Sequence, residues 1–568
     1  MKWSYLARIR VLSILIFFFA ILVIGRLYIL QIVDNDTYIS RADRQYSSTA
    51  SKVFSRGTIF FQNKDNTLVS AATLKSGYII AINPQILVDP ETVYSKINAI
   101  IPIDHSDFLI KAEKKNDPYE EIAVRVDESL SKKIENLKIK GLSIYKDRWR
   151  FYPGGQTAAH VLGILGFKGN DYAGRYGLER EYEAELLRKD GAYINFFAEI
   201  FSDIKKATSA NSESEADIVT TIEPTVQTVL ENIIATTTEK WGSEITGGIV
   251  MNPMTGEIYA MGSYPTFDPN YPEQQKNSKI FSNPLVENVY EMGSVIKPLT
   301  IAAGIDAGVI KSTSTYYDKG FIIINNKKVS NFDSKERGIV TMQDVLSQSL
   351  NVGAAHVESL LGNKRFAEYL YGFGLDEKTG IELPNEAKNL MNNLKGKIDI
   401  DFASAAFGQG IALTPISTIK ALSAIANGGT LVEPQLVKTI DYKIGVSKDM
   451  APPLGARVIK RETSEEVTRM MVYSVDKVLL DGTLRLPNFS VAVKTGTAQI
   501  AKEGGGGYAD NKVLHSFVGY FPAYNPKFII FLYTVNPKGA RFGSETLSHP
   551  FMDMVKFLIN YYEVSPDR

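Results

Sequence analysis

The sequence predicts a mixed α/β (α+β) protein with a single N-terminal transmembrane helix followed by two domains. Three observations predict it: an apolar run at the N-terminus, a polar stretch near residue 210, and regular helix and strand patterns after that stretch. At 568 residues and 44% hydrophobic content, the chain is long enough for two or three domains and can bury large cores.

Composition excludes several classes of function. Lys+Arg and Asp+Glu both number 63, so the basic surface that a nucleic-acid partner needs is not expected. The absence of Cys excludes disulfides, thiolate metal ligands and a Cys nucleophile. The five His are scattered without metal-ligand spacing, which argues against a metal centre and against a Ser–His triad. We therefore expect no metal and no cofactor.

The N-terminus predicts a membrane anchor. Basic residues within the first ten positions precede the apolar run Val11–Gly25, and Leu27–Leu30 extends that run to the length of a bilayer-spanning helix. We predict a cytoplasmic tail over residues 1–10, a transmembrane helix over 11–30, and an extracytoplasmic location for the rest. A cleavable signal peptide is the alternative, but no clear small-x-small cleavage site follows the run.

A polar stretch predicts the boundary between two domains. Before it, Gly77–Ile82 and Glu121–Val126 have the pattern of strands among charged helical segments. Lys205–Asp217 is poor in apolar residues and is typical of a linker or an exposed loop. The predicted domains therefore span residues 31–217 and 218–568.

The second domain has the clearer secondary-structure signals. Pro224 opens a helix, because apolar residues follow it at i, i+3, i+4, i+7 and i+8 spacing. A helix near Asp553–Tyr562 is predicted to close the chain. The predicted strands are Gly247–Met251, Glu257–Met261, Val491–Lys494, Ser516–Tyr520 and Phe528–Val535.

A Ser-x-x-Lys motif at Ser294 and Lys297 is the first candidate for chemistry. On a helix this spacing places both side chains on one face, and the Lys amine can accept the Ser proton if burial or a nearby cation keeps it neutral. Pro298 requires the helix to begin there, which brings Ser294 close to the positive end of the helix dipole. The motif alone is weak, since five other matches begin at Ser129, Ser143, Ser202, Ser417 and Ser474.

Two later triplets favour Ser294 over the other matches. Ser349-Leu350-Asn351 offers a hydroxyl for proton relay and a carboxamide for a substrate amide or for the Lys. Lys494-Thr495-Gly496 ends an apolar strand, where a cation and a Gly suit a substrate carboxylate and backbone. A second Lys-Thr-Gly, at Lys378, has the pattern of a turn leading into a strand, and we predict a structural role for it.

These three motifs, in this order and at these separations, resemble the signature of penicillin-binding proteins and serine β-lactamases. GGIVMNPMTGEIYAMGSYPTFDPN, NVYEMGSVIKP, HSFVGYFPAYNPKF and SHPFMDMV also resemble segments of the transpeptidase domain. SRGTIF, WRFYPGGQTAAHVLGILG and YGLEREYEAELLRKDG resemble the pedestal of the class B proteins. The resemblance implies an elongated, dimerisation-like pedestal over 31–217 and a penicillin-binding transpeptidase domain over 218–568.

The resemblance also implies a reaction and its residues. Ser294 attacks the penultimate D-Ala carbonyl of a peptidoglycan stem peptide, Lys297 takes its proton, and an acceptor amine resolves the acyl-enzyme. The other implied site residues are Ser349 and Asn351 as catalytic groups, Lys494, Thr495, Gly496 and Thr497 as substrate-binding groups, and the backbone N–H groups of Ser294 and Thr497 as the oxyanion hole.

Class B membership implies particular partners. We expect stem peptides as substrates, β-lactams as covalent inhibitors, the membrane, a multi-spanning glycan polymerase of the SEDS type, and division proteins. The segment VYEMGSVIKP favours the division-septum subtype over the elongation subtype. A membrane-bound β-lactamase or β-lactam sensor, a D,D-carboxypeptidase and a catalytically silent division scaffold remain alternatives.

Overall fold

The computed structural model describes residues 17–19, 55–168, 171–188, 215–443, 445–452, 455–502 and 507–568. They belong to two compact units. The smaller contains Leu74–Trp149, and the larger contains Arg56–Thr73, Arg150–Arg188 and residues 215–568. The predicted first domain, 31–217, thus contributes residues to both units.

The strands are β1 (Ile59–Gln62), β2 (Leu68–Ile82), β3 (Glu120–Val126), β4 (Leu142–Phe151), β5 (Leu165–Lys168), β6 (Asp171–Gly174), β7 (Ala216–Thr220), β8 (Ile245–Met251), β9 (Ile258–Tyr264), β10 (Thr315–Asp318), β11 (Phe321–Ile324), β12 (Lys327–Ser330), β13 (Gly338–Thr341), β14 (Val437–Tyr442), β15 (Ser447–Asp449), β16 (Ala492–Ala501), β17 (Tyr508–Phe521) and β18 (Phe528–Val535). The α-helices are α1 (Pro90–Asn98), α2 (His105–Ala112), α3 (Glu128–Glu135), α4 (Ala159–Leu162), α5 (Gly177–Glu181), α6 (Glu183–Leu186), α7 (Pro224–Trp241), α8 (Pro284–Glu287), α9 (Lys297–Asp306), α10 (Met342–Ser347), α11 (Asn351–Leu361), α12 (Asn363–Gly372), α13 (Asp399–Ala405), α14 (Pro415–Ala426), α15 (Arg461–Tyr473) and α16 (Gly543–Tyr561).

The predicted membrane helix is not tested by the structure. Residues 11–30 lie outside the described ranges except for Phe17–Phe19, which are helical. Within those ranges, no helix combines the length and the apolar character needed to cross a bilayer.

The smaller unit confirms the two strands predicted in the first half of the chain. Tyr78–Ile82 of β2 pairs with β3 in antiparallel register, with Tyr78 opposite Val126. Helices α1–α3 complete this unit around its own core, where Ile80, Ile97 and Phe108 are buried.

The larger unit is built on a five-stranded antiparallel sheet in the order β16-β17-β18-β8-β9. All eight residues of β18 are buried, as its uninterrupted apolar run predicts for a central strand covered on both faces. One face packs against α7 and α16 through Val250 and Ile530. The other belongs to a second core through Ile249 and Phe531. All five predicted strands are confirmed, and the closing helix begins at Gly543, ten residues earlier than predicted.

The predicted linker is wrong at its C-terminal end. Ala216 and Asp217 begin β7, which pairs in parallel with β1; residues 205–214 lie outside the described ranges. The Asp217 carboxylate accepts from the backbone N–H of Thr58 at 2.6 Å and from Arg188 at 2.7 Å. Tertiary partners thus satisfy a polar residue that local composition assigned to a loop.

A buried ion network ties the pedestal-like segments of the larger unit together. Arg56 is only 1% exposed, and its Nε lies 2.6 Å from Glu179 Oε2; Arg150 Nε lies 2.6 Å from the other carboxylate oxygen. Burial by itself raises the pKa of Glu179, but the guanidinium groups of Arg150 and Arg56 lower it below its ordinary value. Arg150 is therefore an ion-pair residue of the larger unit.

We expect Glu179→Gln to destabilise the protein by about 3–5 kcal/mol, because buried Arg150 loses its carboxylate and buried Arg56 keeps only Glu183. Denaturant unfolding measures the effect. Glu465→Gln is the control, since it breaks only the exposed Arg461–Glu465 pair, worth about 0.2–1 kcal/mol. Equal losses in the two variants would contradict the structural weight given to the buried network.

Candidate active site

Ser294 lies on a single 3₁₀ turn, Gly293–Ile296, that leads directly into α9. Pro298 occupies the first turn of α9, where its missing N–H costs nothing, so the prediction for Pro298 is confirmed. The turn leaves Ser294 partly exposed, whereas Lys297 is 0% exposed. The nucleophile candidate therefore faces a cavity and the base candidate faces the core.

The turn that carries Ser294 touches the sheet through glycine. Gly293 has a φ of 65°, and a Cβ there would lie 2.8 Å from the carbonyl oxygen of Thr497. A Cβ on Gly496 would come within 2.7 Å of the Met292 carbonyl oxygen. Two glycines thus allow the nucleophile segment to lie directly against β16.

Lys297 is surrounded by the Ser349–Asn351 segment. Its Nζ donates to the Ser349 carbonyl oxygen at 2.5 Å and to Asn351 Oδ1 at 2.8 Å, and lies 3.2 Å from Ser349 Oγ. Among the contacts of the described chain, Ser294 Oγ is not one of its hydrogen-bond partners. Asn351 Nδ2 in turn donates to the Ser330 carbonyl oxygen at 2.9 Å. The amine is therefore fixed by two acceptors of the Ser349–Asn351 segment.

Lys494 approaches the same hydroxyl from the sheet. Its Nζ donates to Ser349 Oγ at 3.0 Å and to the Thr495 carbonyl oxygen at 2.9 Å. Strand β16 is the edge of the five-stranded sheet, so one side of its backbone faces away from β17. Thr495 and Thr497 are both partly exposed and share one face of that edge. An extended peptide can pair with such an edge.

The two amines perturb one another. Burial, and next the charge of Lys494, hold the pKa of Lys297 well below its ordinary value. Burial lowers the pKa of Lys494 to about 7. Because both amines contact Ser349 Oγ, two full positive charges there are unfavourable, and Lys297 is the one kept neutral.

These side chains open onto a cavity of about 480 Å³. Ser294, Ser349, Asn351 and residues Lys494–Thr497 line it. Lys297 does not line the cavity, but its Nζ donates to Ser349 and Asn351, which do. Sequence reasoning missed the rest of the lining, which comes from distant segments without a shared motif. These residues are Phe332, Arg337, Ser347, Gln348, Val478, Leu479, Leu480, Phe542, Gly543 and Ser544.

The structure also distinguishes the site from a second Ser-x-x-Lys motif and a second Lys-Thr-Gly motif. Ser417 and Lys420 form a second Ser-x-x-Lys on α14, and Lys420 Nζ lies 3.5 Å from the carbonyl oxygen of Thr379 in the other Lys-Thr-Gly. Both Ser417 and Lys420 are buried in the core, and no residue of this pair of motifs lines the cavity at Ser294. The structural role predicted for Lys378 agrees with this location.

The local structure around the second Lys-Thr-Gly differs from the prediction in one respect. The strand expected after it is absent from residues 381–389, which are all described. The Glu386 carboxylate instead accepts the backbone N–H groups of Thr379 and Gly380, at 2.6 and 3.2 Å. These bonds satisfy the backbone without a strand partner.

In the described ranges, no three His, Asp or Glu side chains gather in a group that could hold a metal ion. The groups found near Ser294 are the hydroxyls, the Asn351 carboxamide, the Lys494 amine and the Arg337 guanidinium of this cavity, and the Lys297 amine behind Ser349 and Asn351. A nucleophilic Ser with a buried neutral amine and a second hydroxyl defines a serine acyltransferase of the Ser-x-x-Lys class.

Comparison with known proteins agrees with that class. The family described as penicillin-binding protein transpeptidase domain matches residues 246–555, and the penicillin-binding protein dimerisation domain matches residues 52–218. Stage V sporulation protein D of Bacillus subtilis is 29% identical over 96% of this chain and 84% of its own length. Peptidoglycan D,D-transpeptidase FtsI of Buchnera aphidicola (Schizaphis graminum) is 24% identical over 99% of this chain and 96% of its own length.

The fold is shared with a solved structure. Penicillin-binding protein 2X from Streptococcus thermophilus superposes with a TM-score of 0.72 at 23% identity, over 90% of this chain and 81% of that one. The chain belongs to the penicillin-binding protein transpeptidase family, as a class B member in which a dimerisation domain precedes the transpeptidase domain. It is a serine-type D-Ala-D-Ala transpeptidase.

Proposed function

We propose that this chain cross-links peptidoglycan stem peptides through an acyl-enzyme on Ser294, in cell-wall synthesis at the division septum. The observation that carries the proposal is the buried Lys297 amine, whose pKa is lowered and which is hydrogen-bonded to Ser349 and Asn351 on the wall of the Ser294 cavity. An amine kept neutral at physiological pH can accept the proton of a serine, which an ordinary lysine cannot.

In the first step, Ser294 Oγ attacks the penultimate D-Ala carbonyl of the donor and its proton passes to Lys297. The carbonyl oxygen becomes negatively charged and is stabilised by the backbone N–H groups of Ser294 and Thr497. As the C–N bond breaks, the terminal D-Ala amine takes a proton through Ser349. In the second step an acceptor amine attacks the ester, and Ser294 recovers its proton as the new amide forms.

The hydrogen bonds around Lys297 support these roles. A neutral amine has two N–H bonds, and its donations to the Ser349 carbonyl and to Asn351 use both. Its lone pair is then left for a hydroxyl: for Ser349 Oγ, 3.2 Å away, or for Ser294 once it turns toward the amine. Ser349 therefore lies where it can relay a proton between Lys297 and a leaving group.

Lys494 and Thr495 are proposed to bind the terminal carboxylate of the donor, and Gly496 to allow its backbone to lie along β16. We expect Lys494→Gln to slow acylation by a carboxylate-bearing penicillin roughly 10–100-fold, from the loss of a charge-assisted contact. Removing the positive charge also raises the pKa of Lys297, so the acidic limb of the pH–rate profile moves to higher pH.

Acylation rates measured from pH 5.5 to 9.5 check both parts of this expectation. Lys378→Gln, at the exposed lysine of the second Lys-Thr-Gly, is the matched control and should leave the acylation rate and its pH profile unchanged. A loss in Lys494→Gln that is the same at every pH would contradict the charge coupling between the two amines.

A fluorescent penicillin tests the reaction class. A transpeptidase forms an adduct that outlives the labelling by many minutes, whereas a β-lactamase loses the adduct within seconds. Mixing a stem-pentapeptide donor with an amine acceptor then separates cross-linking from hydrolysis by mass spectrometry. A hydrolysed product alone would replace the proposal with a D,D-carboxypeptidase, and no labelling of folded protein would leave the silent scaffold.

The septal role is supported by the sequence of the segment VYEMGSVIKP and by relatives named FtsI. An elongation role is the alternative. Depletion in the native host distinguishes the two, because loss of septal synthesis gives filaments and loss of elongation gives rounded cells.

Membrane attachment belongs to the same proposal, with a tail over 1–10, a spanning helix over 11–30, and domain limits at 31–217 and 218–568. A SEDS-type polymerase and division proteins are the proposed partners. Removal of residues 1–30 should release the protein from the membrane fraction, and retention there would contradict the anchor.

A further inference from the structure

The segment Ser330–Arg337, between β12 and β13, contacts the Ser349 segment at three successive points. Arg337 Nε donates to the Gln348 side chain at 2.9 Å, and the Ser330 carbonyl oxygen accepts from Asn351. In the third contact, the backbone N–H of Val352, which belongs to α11, donates to the side chain of Asn331. These contacts therefore bracket Ser349 on both sides.

Helix α11 begins without a side-chain cap of its own. Its N-cap residue is Leu350, whose side chain has no acceptor, although the first turn of a helix exposes backbone N–H groups that need one. The N–H of Val352 donates instead to Asn331 Oδ1 at 3.1 Å. A residue 21 positions earlier in the chain thus supplies the cap for the helix that presents Asn351.

Asn331 is itself fixed. It is 2% exposed, and its Nδ2 donates to both carboxylate oxygens of Asp318, at 2.8 and 3.0 Å. Its backbone N–H also donates to the Gly320 carbonyl oxygen at 3.0 Å. With donor and acceptor both engaged, the carboxamide links the end of β10 rigidly to the start of α11.

This rigidity acts at a strained position. Ser349 has a φ of 58°, in the left-handed region that a non-glycine residue adopts only when its neighbours hold it there. Its carbonyl oxygen receives the shortest hydrogen bond of Lys297, and Asn351 receives the next. A small rotation at the start of α11 would move both acceptors away from the amine.

We propose that Asn331 is a positioning residue for acyl transfer: by capping α11 from the residue that follows β12, it holds Ser349 and Asn351 against Lys297. The inference rests on the proposed function of Ser294. Asn331 does not line the cavity, so it acts through Ser349 and Asn351 rather than on the substrate.

Asn331→Ala tests the role with a penicillin probe, by measuring the acylation rate constant at saturation and the half-saturation concentration separately. We expect the rate constant to fall roughly 10–100-fold from misplacement of the catalytic groups. Half-saturation should change less than about threefold, because Lys494 and β16 remain in place. Asn331→Ser keeps one possible acceptor for the Val352 N–H and should lose less, which keeps the test available if the alanine variant does not fold.

Asn389→Ala is the matched control. Asn389 is another buried carboxamide, 6% exposed; it accepts from the backbone N–H of Thr414 at 2.8 Å and donates to Ser417 Oγ at 2.6 Å, at the start of α14. It should lose stability like Asn331→Ala but keep the wild-type acylation rate per folded molecule.

The double variant Asn331→Ala/Asn351→Ala decides how the effect is transmitted. If Asn331 acts through Asn351, the double variant should be no more than about twofold slower than Asn351→Ala alone. Losses that multiply would overturn the route through Asn351. A normal rate in Asn331→Ala, or an equal rate loss in Asn389→Ala, would overturn the positioning role itself. Failure of the wild-type protein to acylate would overturn the proposed function, and the positioning role with it.

Discussion

Ser294→Ala is expected to abolish covalent labelling by penicillin. The only hydroxyl on the turn that leads into α9 is then gone. Ser349 Oγ also lies near the Lys297 amine, but it belongs to another segment and accepts from Lys494 as well, so we do not expect it to replace Ser294 as the nucleophile. In a well-studied serine hydrolase, removal of the nucleophile costs roughly 10⁶-fold in rate, so the residual reaction should be undetectable. Intact-mass measurement after an hour with excess penicillin checks this.

The control for Ser294→Ala comes from the same chain. Ser417→Ala removes the serine of a second Ser-x-x-Lys, on α14, where Ser417 is buried and receives a hydrogen bond from Asn389. It should label like wild type. A mass adduct on folded Ser294→Ala, or loss of the adduct in Ser417→Ala, would place the nucleophile elsewhere.

Lys297→Gln is expected to lower the acylation rate about 10²–10⁴-fold, the usual contribution of a general base. Ser294 stays in place but must lose its proton to solvent. Glutamine has nearly the length of lysine and keeps N–H donors for Asn351 and for the Ser349 carbonyl, so the loss reports the missing base rather than a collapsed site. Rates should rise steadily with pH, because hydroxide then takes the proton.

Lys420→Gln is the matched control for Lys297→Gln. Lys420 is also a buried lysine in a Ser-x-x-Lys, and burial lowers its pKa as well. The Lys420→Gln variant should be acylated at the wild-type rate, which distinguishes the loss of the base from the loss of any buried lysine. A wild-type rate in folded Lys297→Gln would remove Lys297 from the mechanism and direct attention to Lys494.

Predictions from local patterns were correct where the residues of a single strand or helix decided its structure. Strand β18 is an uninterrupted apolar run and lies at the centre of the sheet, and α7 begins at Pro224 as its spacing predicts. The prediction failed where a distant partner changed the local preference. Asp217 joins β7 because Thr58 and Arg188 bind its carboxylate, and Lys378-Thr379-Gly380 leads into no strand because Glu386 holds its backbone.

The sequence by itself determined which residue types could form the site: Ser294 with Lys297, Ser349 with Asn351, and Lys494 with Thr495. This was possible because the order and the spacing of motifs are properties of the linear chain. It did not distinguish Ser294 from Ser417 by the physical state of the neighbouring amine, since burial is not a property of spacing.

Only the tertiary structure decided that state and the exposure of each serine. It buries Lys297 beside Lys494, which lowers the pKa of Lys297, and burial lowers the pKa of Lys420 as well. The two motifs differ in their serines, because Ser294 lines a cavity whereas Ser417 is buried. It also caps α11 with Asn331, from another part of the chain. Desolvation and hydrogen bonds between distant segments exist only once the chain has folded, and they turn a widespread motif into a reactive site.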